Sequence, residues 1–135
     1  MAHWLMKSEP GTYSWADLVR DGATEWDGVR NPSARLHLKA MKSGDEAFFY
    51  HSGDERSVIG VMRVAREAAA DPKDPNWVSV AVEPVRAMPA PVSLKTIKAT
   101  EELAKMELIR QSRLSVSPVR EAEWKKIIKL GAGTS

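Results

Sequence analysis

The sequence Trp-Leu-Met-Lys-Ser-Glu-Pro at residues 4–10 changes from apolar to polar within a few positions. Its first half predicts a short strand over His3–Lys7 that runs through the core. The strand is expected to end at Glu9, because Pro10 lacks a backbone donor and Gly11 permits a turn. A strand that ends in several polar groups can present them at the rim of a pocket.

The polar end of this strand has two interpretations. Successive side chains point to opposite faces of a strand, so Lys7 and Glu9 are expected on one face and Ser8 on the other. Lys7 and Glu9 can form a solvated ion pair, which contributes little to stability. Alternatively, Ser8 donates or accepts a hydrogen bond with a ligand and Lys7 lies near the same site.

The second informative stretch is Trp-Asp-Gly-Val-Arg-Asn at residues 26–31. Gly28 can take backbone angles closed to other residues, and Pro32 disfavours helix geometry at Asn31. We expect an irregular loop over residues 23–32, and loops on a rigid scaffold often hold binding residues. Both stretches place a ring beside fixed donors and acceptors, which is the composition of a pocket for a flat, hydrogen-bonding ligand.

Three residues of the second stretch have a functional and a structural interpretation. Trp26 is the best candidate for a stacking wall because it lies outside any periodic apolar face; plain core packing is the alternative. Asn31 offers both a donor and an acceptor to a ligand edge, or it caps a turn or helix. Arg30 contacts a phosphate or buttresses the loop, and the sequence does not separate these two roles.

An amphipathic helix is predicted from Ser33 until Ser43-Gly44-Asp45 closes it. Its apolar residues share one face, and three basic residues share an adjacent face: Arg35, Lys39 and Lys42. This basic stripe is either a solvated surface or a surface that follows a nucleic-acid backbone.

The remaining segments alternate irregularly between strands and short helices. Strands are predicted over residues 46–51, 57–65, 77–85 and 114–116, and helices after Ser14, over 93–98, over 100–110 and around 124–128. Residues 71–76 are expected to be a loop, 88–92 a connector and 132–135 a frayed tail. These elements predict an α+β domain with a curved, mostly antiparallel sheet.

Composition narrows the class of protein. A chain of 135 residues with 43% hydrophobic and 28% charged residues is expected to form one globular domain with a real core. The absence of cysteine excludes disulfides, thiolate metal sites and a cysteine nucleophile. No apolar run of membrane-spanning length and no signal pattern is present, so a cytoplasmic protein without membrane association is expected. A net charge of +2 does not by itself indicate nucleic-acid binding.

Six motifs in order resemble one family, the EVE domain of the thymocyte nuclear protein family and its bacterial relatives. They are WLMKSEP, YSWADL, WDGVRN, FFYHS, VSLKTIK and RLSVSPV, and the likeness runs from about Trp4 to Leu130. The resemblance implies a single domain over residues 1–135 with a PUA-like fold, similar to the YTH reader domain. It also implies a closed β-barrel flanked by short helices and a pocket suited to a modified nucleobase.

The resemblance adds candidate ligand-binding residues at the ends of other strands. Tyr50, His51 and Ser52 end the predicted strand over 46–51, and Ser115 and Pro118 belong to the last motif. His51 has no partners at metal-ligand spacing, so a structural histidine and a pocket histidine remain as alternatives. Because the resemblance assigns them to one cleft, we expect Trp26, Asn31, Ser8 and Tyr50 to converge.

The leading hypothesis is a non-catalytic, monomeric module that binds DNA or RNA carrying a modified base, such as a methylated cytosine or adenine. It needs no cofactor and no metal. One alternative is a small hydrolase of modified nucleosides, like the related ASCH domains, with Lys7 as base. However, no nucleophile–base pair, phosphate loop or metal cluster occurs at a recognisable spacing. A third hypothesis is a general RNA-binding domain without a base pocket.

Overall fold

The computed structural model describes residues 2–132. It contains six strands, five α-helices and one 3₁₀ turn. The strands are β1 (His3–Ser8), β2 (Thr24–Trp26), β3 (Glu46–His51), β4 (Ser57–Asp71), β5 (Asp74–Ser93) and β6 (Val116–Val119). The helices are α1 (Trp15–Asp21), α2 (Pro32–Ala40), α3 (Leu94–Ala99), α4 (Glu107–Arg110) and α5 (Glu121–Leu130), with the 3₁₀ turn at Glu101–Leu103. Among the residues described, no helix is long and apolar enough to span a membrane.

The six strands form one mixed sheet in the order β2-β5-β4-β3-β1-β6. Only β1 and β3 pair in parallel, and the other pairings are antiparallel, so the α+β class and the mostly antiparallel sheet are confirmed. Repeated register shifts along β4 and β5 curl the sheet, because bulges increase local twist. The expected barrel closure is wrong: β2 and β6 remain edges, with no ladder joining them in the described part of the chain.

The parallel pairing of β1 and β3 requires a crossover connection, because a hairpin joins only antiparallel strands. Residues 9–45 make this crossover and contain α1, β2 and α2. The crossover therefore contains both tryptophans of the second and third motifs, Trp15 on α1 and Trp26 on β2.

The adjacent strands β1 and β3 are covered on both faces. On β1 and β3, Met6 and Phe49 belong to the core of what we call the first face, which α1 and α2 cover. Leu5 and Phe48 belong to the core of the second face, which α3, α4 and α5 cover. This alternation decides which polar side chains at the strand ends can meet.

Signals confined to a few neighbouring residues predicted their elements well. β3 has the expected bounds, and α1 follows Ser14 in a capping box with Asp17. Ser93 caps α3, its hydroxyl accepting from the N–H of Thr96.

Longer elements depart from the expectation. Residues 71–76 are no loop: β4 runs to Asp71 and β5 begins at Asp74, so only a tight turn separates them. The expected connector over 88–92 is the end of β5, the helix over 100–110 divides into the 3₁₀ turn and α4, and β6 begins at Val116. Residues 133–135 of the expected frayed tail lie outside the described residues, while Ala132 lies in a turn after α5.

Candidate functional site

A cleft of about 480 Å³ opens where β1 ends beside β2. We call it the Trp26 cleft. Polar side chains outnumber apolar ones along its wall, and it contains two lysines and two carboxylates. Its lining residues are Lys7, Ser8, Thr12, Tyr13, Thr24, Glu25, Trp26, Asp27 and Lys73.

Trp26 forms the largest apolar part of this cleft. It ends β2, opposite Val80 of β5, so the expected irregular loop begins only after it. The residue is 7% exposed, and its ring lies nearly perpendicular to that of Phe49, with centroids 5.4 Å apart and planes at 84°. Trp26 is therefore a core residue that also borders the cleft.

Ser8 lies in the cleft beside Tyr13. The Ser8 hydroxyl donates to the Tyr13 carbonyl at 2.5 Å, so its oxygen lone pairs remain for a ligand donor. The Tyr13 hydroxyl donates to Asp21 at 2.9 Å, and desolvation raises the pKa of the phenol. At the mouth of the cleft, Lys73 and Asp27 form an exposed ion pair at 3.5 Å.

The loop after Trp26 is anchored by a buried carboxylate. Asp71 accepts hydrogen bonds from the backbone N–H of Gly28 and from Arg30, both at 2.9 Å, and from the backbone N–H of Lys73 at 2.7 Å. Burial alone would raise the pKa of Asp71, but these three donors lower it to about 2. The turn between β4 and β5 thereby fixes the loop that follows Trp26. Asp71 carries no local signal in the sequence, because its partners Gly28 and Arg30 are more than 40 positions away.

Arg30 and Asn31 have structural roles. Besides Asp71, the Arg30 guanidinium contacts the ring of Trp77, 5.7 Å from its centroid. Asn31 is the N-cap of α2, its side chain accepting from the N–H of Ala34 at 3.0 Å. Asn31 lines a separate hollow together with Arg110 and Arg113, outside the Trp26 cleft.

The expected convergence of Trp26, Asn31, Ser8 and Tyr50 does not occur. In the β1–β3 register Lys7 lies opposite Tyr50 and Ser8 opposite His51, so Tyr50 faces away from Ser8. Tyr50 packs in the core of the second face. The structure brings Ser8 and Trp26 together in the cleft with Lys7, and places Tyr50 on the other side of the sheet.

The remaining strand-end candidates do not line the cleft. His51 accepts the backbone N–H of Trp15 through Nε2 at 3.0 Å and donates through Nδ1 to Glu55. Ser52 donates its backbone N–H to the Ser8 carbonyl at 2.9 Å. The carbonyl of Ser115 accepts from the backbone of Lys7, and Pro118 lies exposed on the edge strand β6.

The basic stripe is not continuous. α2 ends at Ala40, so Lys42 lies beyond the helix, although it is exposed like Lys39. Arg35 turns toward Trp77, with its guanidinium 4.9 Å from the ring centroid and a hydrogen bond to the Asn76 carbonyl. Within residues 2–132, no group of three or more histidine or acidic side chains is placed to hold a metal ion.

The profile of the EVE domain matches residues 2–130. This chain belongs to the EVE domain family. Human thymocyte nuclear protein 1 is 34% identical to it over 96% of this chain and 73% of the human protein. The EVE resemblance inferred from the six motifs is therefore confirmed.

Solved structures share the whole fold of this EVE domain. A protein from Rhodopseudomonas palustris, determined by NMR, is 42% identical, with a TM-score of 0.93 over 100% of this chain and 96% of that one. The human THYN1 protein, crystallised in complex with DNA containing 5-methylcytosine, is 33% identical, with a TM-score of 0.93 over the full length of both chains.

Proposed function

We propose that this EVE domain binds nucleic acid that carries a modified base, and that the base enters the Trp26 cleft without undergoing a reaction. The observation that carries the proposal is the combination of one ring wall with polar groups around it. A volume of about 480 Å³ lies in the range of small-molecule pockets. Single-stranded or flipped bases are the substrates that such pockets accept.

Trp26 supplies the stacking surface in this proposal. Stacking of a base on an aromatic side chain is worth about 1–3 kcal/mol. Phe49 meets Trp26 edge-on and fixes its orientation, so the ring is held in place before the ligand arrives. A methyl group on the base adds apolar contact in the cleft, which gives moderate discrimination.

Ser8, Asp27 and Lys73 supply the edge contacts. The Ser8 oxygen accepts from a base amino group, while Asp27 and Lys73 offer an acceptor and a donor at the mouth. Their exposed ion pair is weak and can open when a ligand enters. Arg30, Asn31 and His51 act as positioning residues, because their polar atoms already hold neighbouring segments.

DNA with 5-methylcytosine is the first ligand to test. The support is the human THYN1 protein, which was crystallised with 5-methylcytosine-containing DNA and shares the full length of this fold. Arg35, Lys39 and Lys42 contribute long-range attraction to the phosphates, which carries no information about the base.

The experiment compares 5-methylcytosine and cytosine in otherwise identical single strands of DNA and of RNA. Trp26→Phe is matched with Trp77→Phe, the same change outside the cleft. We expect the parent and Trp77→Phe to prefer the methylated strand, and Trp26→Phe to bind that strand more weakly, because the smaller ring offers less stacking surface and less contact with the methyl group. Unchanged affinity and unchanged preference in a folded Trp26→Phe protein contradict the proposal.

A further inference from the structure

A second hollow, of about 370 Å³, adjoins the Trp26 cleft at the end of β1. We call it the Lys98 hollow. It lies where β3, the turn before β4 and α3 meet, and its polar lining consists of Lys7, Tyr50, Ser52, Arg56, Lys98 and Ser112.

Three positive charges line this hollow without a carboxylate partner. The Lys7 ammonium donates to the Ser112 carbonyl at 2.7 Å, and Arg56 donates through Nε to the Gly53 carbonyl at 3.1 Å. Lys98 forms no ion pair with any residue of the described part of the chain. Burial lowers the pKa of Lys7, as expected for an ammonium that has lost water without gaining a counter-ion.

Two arginines of β4 are neutralised by carboxylates. Arg63 pairs with Glu83 at 2.6 Å, and Arg66 pairs with Glu25 at 2.7 Å. Convergent cations without acids favour an anion, because the local potential attracts negative charge.

Lys7 connects the two sites, since it lines both the Lys98 hollow and the Trp26 cleft. A further hollow, which shares Ser52 with the Lys98 hollow, is lined by Glu9, Asp54 and Glu55. Asp54 and Glu55 also border Arg56 and Lys98 in a neighbouring hollow, whereas Lys7 lines no hollow with them in the described part of the chain. A polyanion that leaves the cleft is therefore attracted most strongly on the side of Lys7.

We infer that the Lys98 hollow binds a backbone phosphate of the same strand whose modified base occupies the Trp26 cleft. This inference rests on the proposed function and adds the direction in which the nucleic-acid strand leaves the Trp26 cleft. Lys7, Arg56 and Lys98 supply the charge, and the hydroxyl groups of Tyr50 and Ser52 supply further donors to the phosphate oxygens.

The test measures the affinity for single-stranded DNA with one 5-methylcytosine at several salt concentrations. Lys98→Ala is matched with Lys95→Ala, which removes the same charge from the same helix outside this hollow. Loss of one phosphate contact should flatten the slope of log affinity against log salt by about 0.7, equivalent to about a fivefold loss at 0.1 M salt. Lys95→Ala should leave the slope nearly unchanged. Equal slope changes in the two variants would overturn the inference.

A second arm locates the phosphate. Neutral methylphosphonates replace, one at a time, the phosphates beside the modified base, and each strand is titrated with the parent and with Lys98→Ala. At the contacted position the Lys98→Ala loss should disappear, because the two changes remove one interaction. Independent losses at every position overturn the phosphate site, yet leave the proposed function standing if the parent still prefers the methylated strand. A parent that binds both strands equally overturns the proposed function and this inference together.

Discussion

Trp124 and Trp26 are almost equally buried, at 6% and 7% exposed, but their rings have different neighbours. Trp124 stacks on Phe48, with centroids 3.8 Å apart, and on His3, with centroids 4.3 Å apart. Within residues 2–132, Trp26 has no stacked aromatic partner: its aromatic neighbour, Phe49, lies nearly perpendicular to it, and Trp26 lines the cleft. The exposed fraction therefore does not distinguish a stacked core tryptophan from a tryptophan that borders a cleft. The presence of stacked partners does.

The largest expected effect is on Trp124. Trp124→Ala removes stacked partners from the core of the second face and should lower the free energy of unfolding by about 3–5 kcal/mol. Chemical denaturation measures the loss. Binding per folded molecule should remain unchanged, so a specific loss of modified-base binding in a folded variant would break the distinction between the two tryptophans.

Trp26→Ala tests whether the tryptophan that borders the cleft contributes more to binding than to stability. We expect the stability loss to be smaller than for Trp124→Ala, because part of the Trp26 ring faces the cleft. Affinity for the modified strand should fall by about 1–3 kcal/mol. Denaturation and titration of the same preparation measure both quantities. A stability loss equal to that of Trp124→Ala, with unchanged affinity, would make Trp26 a plain core residue.

Asp71→Asn tests whether polar contacts stabilise the region of the cleft, in contrast to the second face, which apolar packing stabilises. Losing the charged acceptor should cost about 1.5–3 kcal/mol at pH 7. In the parent the pKa of Asp71 is about 2, against an ordinary 3.8, so its stabilising contribution is present above pH 4 and is lost as the pH falls toward 2. Between pH 5 and pH 2, the free energy of unfolding should therefore fall further in the parent than in Asp71→Asn, as measured by chemical denaturation at each pH. A parallel pH dependence in the two proteins would contradict the role assigned to Asp71.

Gly60→Ala asks how tightly the first face packs away from the cleft. A Cβ atom at Gly60 would lie 2.6 Å from the rigid ring of Trp15, whereas one at Gly11 would meet nothing within 4 Å. We expect Gly60→Ala to destabilise the protein by about 1–3 kcal/mol and Gly11→Ala to stay within about 0.5 kcal/mol of the parent. Thermal unfolding compares the two. Equal melting temperatures of Gly60→Ala and Gly11→Ala would show that the packing around Trp15 adjusts to an added methyl group without loss of stability.

The smallest expected effect concerns Lys39. It is exposed on α2, and the interrupted stripe around it makes a direct phosphate contact less favourable than at Lys98. Lys39→Ala should change the salt slope by less than half of the change in Lys98→Ala, measured on the same single strand. A larger change would indicate that the nucleic-acid backbone runs along α2.

Much of the fold was predictable because its signals are local. The capping box of Ser14 and Asp17 and the run of β3 involve residues a few positions apart. β2 was missed because a three-residue strand has no periodicity of its own and exists through pairing with Val80–Val82. The length of β5 was missed because of its prolines. Pro84, Pro89 and Pro91 lie outside the segment that pairs with β2, where an unpaired edge tolerates a missing donor.

The sequence predicted which residue types line the candidate site, but not how those residues are arranged in space. Lys7 and Ser8 stood out as polar residues at a strand end and Trp26 as a ring in a predicted loop, and all three line the cleft. The family resemblance grouped Tyr50 with them, and the sequence does not reveal that Lys7 pairs with Tyr50 across parallel strands. Once that register is known, alternation alone puts Ser8 and Tyr50 on opposite faces.

The crossover of residues 9–45 has a consequence for how this domain folds. β1 and β3 can pair only after the whole intervening segment has closed as a loop, and such long-range closures slow folding. Because Trp26 is held by pairing with β5 and Ser8 by pairing with β3, the two residues line one cleft only when the sheet has assembled. A partly folded chain therefore lacks the cleft. A ligand that binds in the cleft stabilises only the native state. At a ligand concentration one hundred times the Kd, this adds about 2.7 kcal/mol to the stability of the entire domain.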